Sequence, residues 1–237
     1  ERETALRRES EEERKRMILD VSHDLKNPLA STVGYSELCL KRAEELGKPV
    51  RGYLEVIHKN SRRASALLNE LFELSRLESP DFHLKPERLD ACEVLRQACG
   101  DILPSLEQAG FGYEFEIPDE PAYAMIDAAR LNRVLHNLAD NAVRYNPAGT
   151  RVTVRLEKAD RRARITFRDD GVGIPESVAR DIFKPFVRGD DARGSETGGA
   201  GLGLSIARRI AEAHGGTLTL DLSVRPGCAF ILELPLT

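Results

Sequence analysis

Arg164-Ile165-Thr166-Phe167-Arg168-Asp169-Asp170-Gly171-Val172-Gly173-Ile174-Pro175 is the stretch on which the fold turns. Its first residues alternate polar with apolar, the period of a half-buried strand, and the alternation stops at two aspartates and two glycines. A strand that leads straight into Asp-x-Gly-x-Gly puts carboxylates and bare backbone at one end of a sheet. Glycine lets that backbone come close to a ligand. A second run, Gly198-Gly199-Ala200-Gly201-Leu202-Gly203-Leu204, opens a helical pattern from about Gly201 to His214, and amides at a helix start favour phosphate oxygens. Neither run is a P-loop, which requires Gly-Lys-Ser/Thr, nor a dinucleotide fingerprint, because no βαβ unit surrounds them. For either run alone, a tight turn is the ordinary explanation.

Working outward, Arg151–Leu156 alternates as a second strand joined to the first by a charged turn, and Thr217–Leu222 and Ala229–Leu234 read as two more. Asp90 to Gln108 reads as a helix with Asp90 as N-cap, Phe111–Ile117 as a strand, and Asp127 to Tyr145 as a helix ended by Asn146-Pro147-Ala148-Gly149. A short helix is expected near Glu176–Phe183. The order implies an α/β sandwich of antiparallel hairpins with helices on one face. On the helix ending at Tyr145, Asn137 and Asn141 lie one turn apart, with Arg144 and Tyr145 on the next turn. Carboxamide oxygens are hard, neutral ligands suited to Mg²⁺ when a triphosphate supplies the rest, and they equally suit backbone bonding inside a helix–sheet contact.

Upstream of Ser79-Pro80-Asp81 the pattern is wholly helical. Residues 1–16 hold six Glu and six Arg or Lys, a mixed-sign run suited to a solvated helix. An amphipathic pattern runs from Met17 to about Leu46 with a kink expected at Pro28, and Gly47-Lys48-Pro49 reads as a turn. From Val50 to about Leu77, Val50, Ile57, Ala64 and Leu71 share one heptad position and Tyr53, Asn60, Leu67 and Leu74 another, with Leu54 and Leu68 widening the stripe. Two such helices suit a homodimeric four-helix bundle; packing on the chain's own C-terminal domain is the alternative. The expected domains are a signalling or coiled-coil helix over 1–16, a hairpin over 17–80 and a second domain over 86–237, with a hinge near 79–86.

The 237 residues allow one large domain or two small ones. Thirty-five Lys and Arg against 39 Asp and Glu leave a net charge of −4, which offers no basic field for a nucleic-acid backbone, and an aromatic share of 5% without Trp offers no stacking platform. No nucleic-acid partner is expected. Cys39, Cys92, Cys99 and Cys228 lack zinc-knuckle spacing, and the seven residues from Cys92 to Cys99 span ~10 Å on a helix, too far for a disulfide. Reduced cytoplasmic thiols are expected. No apolar run reaches the ~18 residues of a membrane span. Because the chain begins at Glu1, a membrane part is expected, if anywhere, in a missing upstream segment that anchors the full-length protein in the bacterial inner membrane.

Taken together, Asn-x-x-x-Asn, Asp-x-Gly-x-Gly and Gly-x-Gly-Leu-Gly-Leu resemble the ATP-binding domain shared by histidine kinases, gyrase-type and mismatch-repair ATPases, over roughly residues 86–237. The resemblance implies that Asn137 and Asn141 hold Mg²⁺ near the phosphates of ATP and that Asp169 accepts the adenine amino proton. It implies that Gly171 and Gly173 shape the base pocket and that Gly199, Gly201 and Gly203 adapt a lid and its helix to the phosphates. It adds Arg144, Tyr145, Ile174, Lys184 and Leu202 to the nucleotide-binding set. Ile182-Phe183-Lys184-Pro185-Phe186-Val187-Arg188 is similar to the phenylalanine-containing box of the kinase branch, in which Arg188 faces the γ-phosphate and Phe183 and Phe186 pack the lid.

Val21-Ser22-His23-Asp24-Leu25-Lys26-Asn27-Pro28-Leu29 resembles the phosphoacceptor box of two-component sensor histidine kinases. An aspartate beside a histidine can orient the imidazole or take its proton during attack on a phosphoryl group. The resemblance implies that His23 is phosphorylated, that Asp24 is the base and that Asn27 assists dephosphorylation of the phosphoaspartate of a cognate response regulator. At ~100° per residue, Ala30 and Gly34 fall within about 20° of the His23 face. By resemblance these two and Tyr35 help choose the regulator; otherwise small residues there merely allow close helix packing. His58 and His83 are expected on the surface. An ATP-binding scaffold without phosphoryl transfer, and an ATP hydrolase coupled to dimer closure, are the competing classes.

Overall fold

The computed structural model describes residues 25, 29–41, 48–79, 81–187 and 201–237. The chain forms two compact units that part between Phe82 and His83.

In the first unit, α1 covers 29–41 and α2 covers Lys48–Leu77. Lys48 and Pro49, expected in a turn, are instead the first residues of α2; proline fits there because a first-turn N–H has no helical partner. Buried Ser36 on α1 donates its hydroxyl proton to Val33 O at 2.8 Å. Its oxygen is therefore left to accept from His58 Nδ1 on α2 at 3.0 Å. His58, expected on the surface, is half-buried by this cross-helix bond. Along the heptad stripe Leu74 is buried, and Leu54, Ala64, Leu67, Leu68 and Leu71 are half-buried. Val50, Tyr53 and Ile57 stand exposed in the single chain, with Val56 beside them.

The second unit opens with β1 (Glu87–Asp90) and α3 (Ala91–Gln108). Asp90 caps α3 by accepting from Cys92 N, and the same Oδ1 takes the Ala122 amide at 2.9 Å. After β2 (Gly112–Glu116) and β3 (Tyr123–Ile126) comes α4 (Ala128–Tyr145), then the hairpin β4 (Arg151–Ala159) and β5 (Arg162–Asp169). Asp160 and Arg161 both take positive φ between those strands, as a two-residue hairpin turn requires. A single turn of helix, α5 (Glu176–Ala179), α6 (Gly203–Ala213), β6 (Thr217–Asp221) and β7 (Cys228–Pro235) complete the unit. The helix expected over 176–183 stops at Ala179. The chain beyond it is turns, and Pro185 disfavours helical backbone at the residue before it.

The main sheet runs β2-β4-β5-β7-β6. Its pairs are antiparallel as expected except β2 with β4, which are parallel because the chain leaves β2 through β3 and α4 before it returns. Across one face Val154 meets Phe167 and Phe167 meets Phe230, while Leu156, Ile165 and Leu232 form the next row. All are buried beneath α3, α4 and α6. The other face carries the pairs Arg155–Glu116 and Arg164–Glu233 in solvent. The antiparallel pair of β1 and β3 was not foreseen; four-residue strands carry too little alternation to be read. All four cysteines are free thiols, with Cys39 exposed and the rest buried, and burial pushes the Cys99 thiol up to about 12. No described helix is long and apolar enough to cross a membrane.

Asp127 joins three segments. Its Oδ1 caps α4 at Arg130 N, its Oδ2 accepts from Lys85 N at 3.1 Å, and its own N–H donates to His214 Nε2 at 3.0 Å beyond α6. Accepting there leaves His214 to donate from Nδ1 to Ile210 O at 2.8 Å. Asp127→Ala is expected to destabilise the second unit by about 1–3 kcal/mol, and Asp127→Asn by less because one oxygen keeps the cap. Urea unfolding of the two variants checks this; equal losses would show that the cap is not what matters.

Candidate functional site

At the end of β5, Asp169 pairs in register with Val152 of β4 and Cys228 of β7, and its side chain is only 3% exposed. A carboxylate so enclosed needs donors. Gly171 N donates to Oδ1 at 3.1 Å, and the Cys228 thiol donates to Oδ2 at 3.3 Å. Burial, and then the charge of Asp169, push the Cys228 thiol far up, so the sulfur keeps its proton and remains the donor.

The residues after Asp169 are held one by one. Asp170 Oδ1 accepts from Arg151 N at 2.6 Å, and Asp170 N donates to Arg151 O at 3.1 Å. Val172 N donates to Asn146 Oδ1 at 2.9 Å, at the foot of α4. Gly173 takes a φ of +76° and would set a Cβ 3.1 Å from Gly227 O, so a side chain there is barred by both conformation and space. Gly227, at φ +88°, packs its own backbone directly on the Asp169 carbonyl. Ile174 follows, half-buried.

On α4, Asn137 is 6% exposed, and its Nδ2 has no hydrogen-bond partner among the described residues. Its carboxamide lies against Gly203, the first residue of α6, where a Cβ would stand 3.5 Å from Oδ1. Among the described residues no side chain caps the start of α6, whose N-cap position is Leu202. An orphaned amide and an uncapped helix start together suit an anion, a phosphate above all. Asn141 is half-buried one turn on, and Arg144 and Tyr145 are exposed.

Gly201 also takes positive φ, +74°, and has no space for a Cβ beside Val187 O. Phe186 N donates to Gly201 O at 2.9 Å. Leu202, expected at the nucleotide, buries its side chain in the core. Phe183 packs edge-on against Phe230 at 6.2 Å, under the Arg208 guanidinium at 5.2 Å. Phe186 is exposed, and Lys184 turns to Asp181 at 2.7 Å. His23, Asp24, Asn27, Arg188 and Gly199 lie outside the described residues. Of the other hairpin positions, Ala30 and Tyr35 are exposed, and no described residue stands within 4 Å of where a Gly34 Cβ would be.

Three residues of the site carry no such signal in the sequence: Asn146 reads as part of a helix stop, Cys228 as a plain thiol, and Gly227 is not singled out. Cys228 reaches Asp169 across 59 residues of chain, and no local pattern announces such a contact.

Residues 126–237 match the family described as histidine kinase-, DNA gyrase B- and HSP90-like ATPases, and residues 13–80 match the His Kinase A phospho-acceptor domain. The chain is 31% identical over 229 residues to the sensor histidine kinase WalK of Bacillus subtilis, covering 95% of this chain and 37% of that protein. It therefore spans little more than a third of that relative. Among solved structures, full-length ShkA in complex with AMPPNP matches with a TM-score of 0.77 at 26% identity, over 94% of this chain and 46% of that one. The mycobacterial sensor histidine kinase MprB matches with a TM-score of 0.54 at 31% identity, over 63% of this chain and 98% of that one.

Cys228→Val leaves Asp169 Oδ2 buried without its donor and is expected to cost about 1–3 kcal/mol, whereas Cys228→Ser keeps a donor and stays within about 1 kcal/mol. Denaturant unfolding of the intact chain decides; equal losses would show that the thiol merely fills space.

Proposed function

This chain belongs to the sensor histidine kinases of two-component systems, and on that premise we propose that it uses ATP to phosphorylate its own His23. The phosphoryl group then passes to an aspartate of a cognate response regulator, and phosphatase activity toward that regulator is the opposing function. One observation supports the nucleotide half above the others: a buried carboxylate at Asp169 and a buried Asn137 amide stand in the same unit as the start of α6, and among the described residues nothing bonds that amide or caps that helix.

In this reading Asp169 accepts from the exocyclic amine of adenine, since each carboxylate oxygen keeps a lone pair beyond the one given to Gly171 or Cys228. Gly173, close-packed on Gly227, shapes the wall of the base pocket. Asn137 and Asn141 would hold Mg²⁺ through their carboxamides, and the donor set fits: oxygens at helical spacing on one face, with a buried Nδ2 ready for a phosphate oxygen. The ion supplies charge neutralisation on the phosphates when bound. Arg144, Tyr145, Ile174, Lys184, Arg188, Gly199, Gly201 and Gly203 complete the nucleotide-binding set, with Arg188 on the γ-phosphate.

A ring nitrogen of His23 attacks the γ-phosphorus. The new N–P bond forms as the bond to the β,γ-bridging oxygen breaks, and ADP leaves with that oxygen. Asp24 takes the ring proton. Asn27 positions the water for the phosphatase reaction. Such catalysis is positioning plus charge neutralisation, so the chain must bring His23 and the nucleotide together and part them again, and a hinge near 79–86 serves that motion. Domains over 1–16, 17–80 and 86–237, and attachment to the inner membrane through an upstream segment, belong to the same proposal.

The hairpin is proposed to act as a homodimer, since Val50, Tyr53, Val56 and Ile57 are left in water by the single chain. Sedimentation at micromolar concentration is expected to give a dimer, and a Tyr53→Glu/Ile57→Glu double variant a monomer; a wild-type monomer would sink this.

Incubation with γ-labelled MgATP is expected to give acid-labile, alkali-stable label on the chain. His23→Gln should lose all of it and Asn141→Asp at least about tenfold of its rate. Phosphate release without protein label would instead favour a hydrolase, and nucleotide binding without either a scaffold.

A further inference from the structure

We propose that Asn146 is a positioning residue for the nucleotide, and that Gly171 is a glycine because the Asn146 carboxamide occupies the place of its side chain. The inference rests on the nucleotide reading of the site.

Asn146 is the residue at which α4 ends; its N–H still donates to Ala142 O at 3.1 Å, while its own backbone is already extended at φ −113° and ψ 152°. That exit turns a half-buried carboxamide toward the loop after β5, where Oδ1 accepts from Val172 N at 2.9 Å. A Cβ built on Gly171 would overlap this carboxamide, and the three atoms nearest to it all belong to the Asn146 side chain. Gly171 does not share the positive φ of Gly173, so its backbone would admit any L-residue. The two glycines of Asp-x-Gly-x-Gly therefore serve different needs. Gly173 is fixed by its conformation and by the Gly227 backbone; Gly171 is fixed by one movable side chain.

The consequence is mechanical. The start of the loop is tied to β4 through Asp170, Gly171 bonds back to Asp169, and Gly173 is packed on Gly227; among the described residues its tie to the helix that carries Asn137 and Asn141 is the bond of Val172. Asn146 thus ties the loop that follows the base carboxylate to the helix that carries the two carboxamides. The Val172–Asn146 bond is exposed, so water can replace it, and its loss falls on the placement of the loop more than on stability.

Mg-ADP binding by calorimetry and thermal melts are measured on the intact chain for Asn146→Ala, Gly171→Ala and the double variant. Asn146→Ala is expected to weaken Mg-ADP about tenfold, to shift Tm by no more than about 3 °C, and to raise KM for ATP with kcat within about twofold. Gly171→Ala, whose methyl displaces the carboxamide, should match it. The double variant should be no weaker than either single one, because both break the same bond. Wild-type affinity in Asn146→Ala, a far larger loss in Gly171→Ala than in Asn146→Ala, or losses that multiply in the double variant would each overturn the inference. Asp169→Asn separates the two failures. If it abolishes Mg-ADP binding while Asn146→Ala binds normally, only this inference falls; if the wild-type chain binds no Mg-ADP, the nucleotide reading falls and takes the inference with it.

Discussion

A carboxylate taken out of water at the end of a strand must be given donors, and the way Asp169 meets that need organises the second unit. One donor comes from two residues ahead, the Gly171 amide, and the other from the neighbouring strand, the Cys228 thiol. The second donor is present only if β7 pairs with β5 in the register that puts Cys228 opposite Asp169. The same register brings Gly227 onto the Asp169 carbonyl, where no side chain has room. The last rung of the sheet, two loops and a polar group at the floor of the site are therefore one arrangement.

The helix that faces this carboxylate is held at both ends by side chains. Asp127 spends its two carboxylate oxygens and its amide on three different segments at the start of α4, and Asn146 does the equivalent for the loop at its end. Between these anchors the Asn137 Nδ2 is buried with no partner among the described residues, as is Asn132 Oδ1 earlier on the same helix, whereas buried Ser205 and His214 are bonded. An open buried donor that lies against the first residue of α6 marks a place where something outside the chain is expected.

The first unit works by a different balance. Its polar content is turned inward at Ser36 and His58, whose bond joins α1 to α2, while Tyr35 and Tyr53 are left 72% and 70% exposed. A hairpin has too few elements to cover a stripe that wide, so the apolar side chains that a larger domain would bury face outward and suit a second copy.

Much of this was legible in the residues because its causes are local. Asp90 and Asp127 cap helices whose partners lie two and three residues away, Arg151–Leu156 and Arg164–Arg168 alternate with the period of a strand, and the phosphoacceptor-like segment around His23 is a contiguous string. Interactions that span a few residues leave their spacing in the sequence. The pairing of β1 with β3, the single parallel pair, the thiol on Asp169 and the different reasons for Gly171 and Gly173 were decided by the tertiary structure alone. In each of these the partner lies 25 or more residues away, and identical letters acquire different roles only when the fold has chosen their neighbours.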